Sequence, residues 1–223
     1  MAQPNTGSTH ARPIHHLTQE LLVDYASGAL AEASATLVAT HLVLCPACRG
    51  ELAEIEALGG ALLGEAASMA VASQALDAVL LRLDEPAAGE PPIVRDIPGL
   101  PRPLARHVGK PIEALAWRRM IPGLQFFPLP LQGIEKAYLL RIKPGRAMPR
   151  HTHGGNEMTL VLRGCYTDRR GEFRPGDVAI VDPAVDHRPV AGGIEDCICL
   201  AVTDAPLRLT GPVGRLFRPF VRF

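Results

Sequence analysis

Three short stretches of this 223-residue chain gather side chains that bind metals or react with oxidants. The first is HLVLCPAC, His41 to Cys48, which holds C-x2-C at Cys45 and Cys48. The tight turn of that spacing lets two thiolates face one ion. His41 lies four residues before Cys45, one helical turn away, so its imidazole reaches the same point. A structural zinc site takes four protein ligands, and the last must come from another segment if the metal is to tie tertiary structure together. His15 and His16 precede the first helical pattern, and either can return to the end of the second. A thioredoxin-like redox pair would instead want a βαβ setting, which this region lacks.

The second stretch is GRAMPRHTHGGNEMTLVLRG, Gly145 to Gly164. His151 and His153 alternate on one strand and so face the same side of a sheet. Gly154 and Gly155 permit a sharp turn, Glu157 follows on the returning segment, and His187 arrives after GDVAIVDPAVDH. Three imidazoles and one carboxylate converging inside a small barrel suit a divalent metal: zinc, manganese, iron or nickel. The third stretch, EDCICLAV, places Cys197 and Cys199 at i and i+2, on one side of a strand. They read either as a thiol pair open to oxidation or as two buried small apolar residues. A disulfide between them would be strained in a regular strand.

The elements that must position these residues fall into two textures. Residues 17–84 are rich in Ala, Leu and Glu and nearly free of proline. LTQELLVDYASGAL reads as a helix closed near Gly28, EASATLVATHLVL as a second, and ACRGELAEIEALGGALL as a third that opens just after Pro46. SQALDAVLLRLDE carries Leu76, Val79, Leu80 and Leu83 at i, i+3, i+4 and i+7, the stripe of a fourth helix. That stripe is a candidate partner surface or a face packed on its own bundle. Residues 86–112 contain seven prolines and read as a connector that is neither helix nor inner strand, extended or lying over one of the domains. From about residue 113, short apolar or alternating runs separated by Gly, Pro and Asp turns suggest an all-β sandwich or barrel. Trp117, Phe126 and Phe127 are expected to cover its core, and His107 is expected in a solvated loop. The fold class is therefore α+β multidomain, a small helical bundle with zinc followed by a β-barrel.

Composition narrows the function classes. Lysine plus arginine equals aspartate plus glutamate at 23 each, so no overall field recruits nucleic acid or an anionic membrane. HLVLCPACRGELAEIEAL has Arg49 as its sole cation among several carboxylates, which argues against phosphate contact by the zinc region. The longest apolar stretch is interrupted by Glu65, Gln74 and Asp77, and reads as amphipathic helices, not a membrane span. Five cysteines, an odd number, with no apolar secretion signal in the first ten residues, argue for metal or redox chemistry in the cytoplasm over a disulfide framework.

The histidine pair followed by H-x3-C-x2-C resembles the zinc-binding anti-sigma domain of bacterial transcriptional regulators, and ASGALAEASATLVATHLVLCPACR is similar to its ChrR branch. The resemblance implies that the second histidine of the pair is the ligand, so that His16, His41, Cys45 and Cys48 hold zinc and His15 is a polar neighbour. Downstream, G-x5-H-x-H-x3-E-x6-G at Gly145, His151, His153, Glu157 and Gly164 resembles the first cupin motif. Gly176, Pro183 and His187 follow the second cupin motif with altered spacing and without its glycine between proline and histidine. Together these imply a leader at 1–13, an anti-sigma domain at 14–85, a linker at 86–112, a cupin barrel (double-stranded β-helix) at 113–205 and a tail at 206–223. The implied function is non-catalytic: zinc-dependent 1:1 sequestration of an extracytoplasmic-function sigma factor, released when an oxidant such as singlet oxygen acts on the barrel. The alternative is a metal-dependent cupin enzyme, a dioxygenase or isomerase, with an accessory zinc domain.

Overall fold

The structure, a computed structural model, describes residues 12–83, 85 and 96–210. Most of the leader, the first part of the connector and the apolar, basic tail beyond residue 210 lie outside the described residues.

Four helices form where the apolar spacing places them. α1 spans Gln19–Ala26, with the Thr18 hydroxyl accepting from the Leu21 N–H as its cap. Its chain reverses at Gly28, whose φ of 72° is open to glycine without strain. α2 spans Glu32–Leu44 and α3 spans Pro46–Glu65. Pro46 opens α3, where no intrahelical N–H is needed, and the Cys45 side chain caps the same turn by accepting from the Cys48 N–H. α4 spans Ala75–Leu83 and buries none of its residues.

α2 is apolar and small-residue-rich around its whole circumference, the signature of a helix enclosed on all sides. It packs against α1 and α3 on one side and against strands of the barrel on the other. Leu37 and Val38 are fully buried between them. Its N-terminal residue Ala31 offers no side-chain cap, and the barrel supplies one. The Glu135 carboxylate accepts the Ser34 N–H at 2.9 Å and the Ser34 hydroxyl at 2.7 Å, placing a negative charge on the positive end of the helix.

The proline-rich connector corrects the expectation that it holds no helix. α5 spans Arg102–Val108 and a single 3-10 turn follows at Ile112–Ala114. Pro101 sits ahead of α5 and Pro103 in its first turn, where a missing N–H costs nothing. Leu104, Ala105 and Val108 are buried, and α5 lies along α2. His107 is therefore half-buried on a helix, with Nε2 3.4 Å from the Thr36 hydroxyl, and not in a solvated loop.

Eleven strands follow among the described residues: β1 Arg118–Ile121, β2 Leu124–Pro128, β3 Lys136–Ile142, β4 His151–His153, β5 Glu157–Arg163, β6 Tyr166–Asp168, β7 Gly171–Phe173, β8 Val178–Val181, β9 Val190–Ala191, β10 Cys197–Thr203 and β11 Leu207–Leu209. A six-stranded sheet runs β1-β2-β3-β10-β5-β8. Opposite it lie a three-stranded sheet, β7-β6-β9, and the pair β11-β4, tied by bridges at Ala147–Val190 and His151–His187. All named pairs are antiparallel.

Central strand β10 divides the core. Ile198, Leu200 and Val202 join Leu22, Leu37 and Leu104 in a cluster between helices and sheet. Cys197 and Cys199 join Tyr166, Phe173 and Met148 inside the barrel. An inner strand buried on both faces accounts for the unbroken apolar run CICLAV. Helices and barrel thus share one core, so the two textures of the sequence do not pack as two separate bodies. Trp117 and Phe127 pack on the shared cluster, and the Trp117 indole N–H donates to the Ile112 carbonyl at 2.9 Å.

Candidate metal centres

The end of α2, the start of α3 and the segment entering α1 meet at one point. His41 comes from the last turn of α2, Cys45 from the junction, Cys48 from the first turn of α3 and His16 from the segment before α1. One ligand atom from each lies within 4.8 Å of all the others. His16 Nδ1 stands 3.3 Å from Cys45 Sγ and 3.6 Å from Cys48 Sγ, and His41 Nε2 stands 3.2 Å from Cys48 Sγ. His15 turns the other way, stacking on Phe173 with ring centroids 4.2 Å apart.

The electrostatics of this cluster fit a cation. His41 Nδ1 donates to the Gly176 carbonyl at 2.8 Å, which places the ring proton there and aims the Nε2 lone pair at the sulfurs. Burial holds the His41 pKa below its ordinary value, so the ring stays neutral, as a ligand must. Burial also pushes the Cys48 thiol up to about 11. A thiolate there needs a bound cation, and two sulfurs with two imidazoles form an ordinary tetrahedral zinc shell. His16 is the exposed member of the four and leaves one side of the site open to solvent.

The second cluster lies inside the barrel. His151 and His153 project from β4, and His187 arrives on the segment bridged to it. Their Nε2 atoms converge, with His151 and His187 3.0 Å apart and His153 and His187 3.2 Å apart. Each Nδ1 faces an acceptor on the outside: the Pro149 carbonyl at 2.7 Å, Asp168 Oδ2 at 3.2 Å and Glu157 Oε2 at 3.3 Å, for His151, His187 and His153 respectively. The last contact is an ion-pair distance without hydrogen-bond alignment. The Pro149 and Asp168 acceptors put the ring protons of His151 and His187 on Nδ1 and turn those two lone pairs inward, the arrangement a metal requires. Burial lowers the pKa of His151 to about 4 and of His153 to about 3, and lowers that of His187, so all three stay neutral near pH 7.

Glu157 departs from the expected four-ligand shell. Its carboxyl stands beside the triad but faces the far nitrogen of His153 and accepts from the Thr159 hydroxyl at 3.0 Å. Burial raises its pKa to about 7, although the Thr159 bond and the Arg170 charge work against it. A cavity of about 70 Å³ adjoins the triad, walled by apolar side chains that include Phe126, Leu140 and Cys199. Cys197 and Cys199 both point into the barrel, with sulfurs 3.5 Å apart and fully buried. The bond to Cys197, followed by burial, holds the Cys199 thiol well above its ordinary pKa, which disfavours thiolate chemistry.

The residues that orient both clusters had no signal in the sequence. Asp168 lies in the run YTDRRGEF and Asp177 in the turn RPGD, where each reads only as hairpin or turn chemistry. The structure makes Asp168 the partner of His187 and of Arg170, and those bonds hold its pKa low against the opposing effect of burial. Leu76, Val79, Leu80 and Leu83, on α4, lie away from both clusters and are exposed.

Comparison with known proteins places the chain. Residues 105–206 match the family described as the ChrR cupin-like domain, and residues 16–49 match a putative zinc-finger family. The chain is 42% identical over 208 residues to the anti-sigma-E factor ChrR of Cereibacter sphaeroides, covering 93% of this chain and 98% of that protein. The crystal structure of Rhodobacter sphaeroides SigE in complex with the anti-sigma ChrR superposes with a TM-score of 0.77 at 41% identity, covering 85% of this chain and 98% of that one. A bundle closed by two cysteines and two histidines, packed on a cupin barrel with its own imidazole triad, therefore belongs to the ChrR family of anti-sigma factors.

Proposed function

We propose that this chain sequesters an extracytoplasmic-function sigma factor in a zinc-dependent 1:1 complex in the cytoplasm, and releases it when an oxidant acts on the barrel. The observation that carries the reading is the set of apolar side chains left exposed on the second half of α3 and on α4. Leu62 and Leu63 are exposed, and on α4 Leu76 is 68% and Leu83 is 73% exposed, with Val79 and Leu80 also open. Exposed apolar side chains gathered on helices in this way favour a site where another protein docks. Among the described residues no helix is long and apolar enough to cross a membrane.

His16, His41, Cys45 and Cys48 would hold zinc, which supplies a staple between α1, α2 and α3 where a small bundle has limited core of its own. His151, His153 and His187 would hold a divalent metal, zinc, manganese, iron or nickel, with Glu157 able to swing in as a further ligand. The same triad would serve a dioxygenase or isomerase, but catalysis leaves the apolar α3–α4 face and the clamp without a role. The test is direct. Cys45→Ser and His41→Ala should each abolish co-purification with the cognate sigma factor, and normal co-purification by both variants would end the proposal.

A further inference from the structure

The two metal clusters are joined by one short piece of the barrel, residues 166–178. At its start, Asp168 Oδ2 faces His187 Nδ1 of the triad at 3.2 Å. Arg170 binds the same oxygen at 3.0 Å and lays its guanidinium over the Phe173 ring, 5.4 Å from the centroid. Phe173 stacks on Tyr166 inside the barrel at 4.9 Å, and on its other side it meets His15. The segment then turns through Gly176, whose carbonyl orients His41, and ends at Asp177.

Asp177 is 1% exposed and grips the segment that leads into His16. Its Oδ1 accepts the Ile14 N–H at 2.7 Å and the His15 N–H at 2.9 Å, and its Oδ2 accepts the Arg174 N–H at 2.8 Å and faces His15 Nδ1 at 3.4 Å. The next residue, Val178, donates its N–H to the His15 carbonyl at 3.2 Å. Those bonds hold the carboxyl below its ordinary pKa although burial works against them. Pro13 packs so closely over Gly176 that a Cβ there would meet its Cγ at 2.6 Å, and Gly176 has φ of 94°. Two of the four clamp ligands, His16 and His41, are thus set in place by barrel backbone and by one barrel carboxylate, not by the helices alone.

We propose that metal retention in the helical clamp is linked to metal retention in the barrel triad through residues 166–178, with Asp177 as the positioning residue that fixes the His16 segment. A metal in the triad fixes His187 and with it Asp168, which holds the β6–β7 hairpin and the turn after it against His15 and His41. By linkage the effect is reciprocal. The inference deepens the proposed function, since it rests on both clusters holding metal, but it makes no use of the sigma factor.

Cobalt(II) loaded into the full chain tests it, because thiolate-bound cobalt gives a charge-transfer band that imidazole-only cobalt lacks, so the band reports the Cys45–Cys48 site alone. With excess chelator, the band of the wild-type chain should decay about fivefold more slowly than that of His151→Ala with His153→Ala, which removes the triad. In Asp177→Asn, and in the milder His15→Ala, the band should form but decay at one rate whether or not the triad is intact. A merely structural role for Asp177 would speed decay in both backgrounds and keep their ratio. Equal decay with and without the triad in the otherwise wild-type chain overturns the linkage, and a ratio that persists in both Asp177→Asn and His15→Ala overturns the route. If no thiolate band forms in the wild-type chain, the proposed clamp itself fails, an outcome distinct from a band without linkage.

Discussion

α2 and α4 are both apolar helices of the same bundle, and they end in opposite situations. α2 buries eight of its thirteen residues against its own chain. α4 buries none of its nine. α2 is enclosed because the barrel closes over it at both ends: Glu135 caps the N-terminus, and the Gly176 carbonyl receives the His41 N–H at the other. Among the described residues nothing closes over α4 in this way, and its leucines stay at least half exposed. Hydrophobicity alone does not tell a core helix from a docking helix; the distinction comes from what the rest of the chain brings to each.

The comparison breaks most visibly at the clamp. Cys45→Ser removes one of four ligands and should eliminate measurable sigma-factor binding, because α1, α2 and α3 lose the point at which they meet. Next in size, Leu76→Asp with Leu80→Asp on exposed α4 should weaken sigma-factor binding at least about a hundredfold, in the range of lost interface anchors, as read by titration calorimetry. The same pair should leave the melting temperature of the free chain nearly unchanged, since exposed sites away from special features contribute little to stability. Leu37→Ala on α2 should do the reverse, costing about 3 kcal/mol in denaturant unfolding of the free chain. Smallest is Glu135→Ala, which removes the cap supplied to α2 from the barrel and should cost about 1 kcal/mol by the same measurement.

Much of this was legible in the residues. Periodicity and caps located α1 to α4, and Pro46 marked the opening of α3, because those signals act within a few residues of where they are read. His151 and His153 could be placed on one strand because strand alternation is local as well. Prolines in the connector misled, since Pro101 and Pro103 break a helix interior but suit its first turn, and only burial of Leu104 and Val108 against α2 decides between those roles. The grip of Asp177 on Ile14 and His15 was out of reach for a different reason. It joins positions more than 160 residues apart in the chain, and a turn of sequence RPGD looks the same whether or not a strand lies beneath it.

The central claim is that the clamp exists to present the α3–α4 face to a sigma factor. The most direct measurement is the affinity of the zinc-loaded chain for its cognate sigma factor, wild type against Leu76→Asp with Leu80→Asp, with zinc content and melting temperature recorded for both. The account predicts affinity reduced at least about a hundredfold with zinc and melting temperature unchanged. Wild-type affinity in the double variant would contradict it.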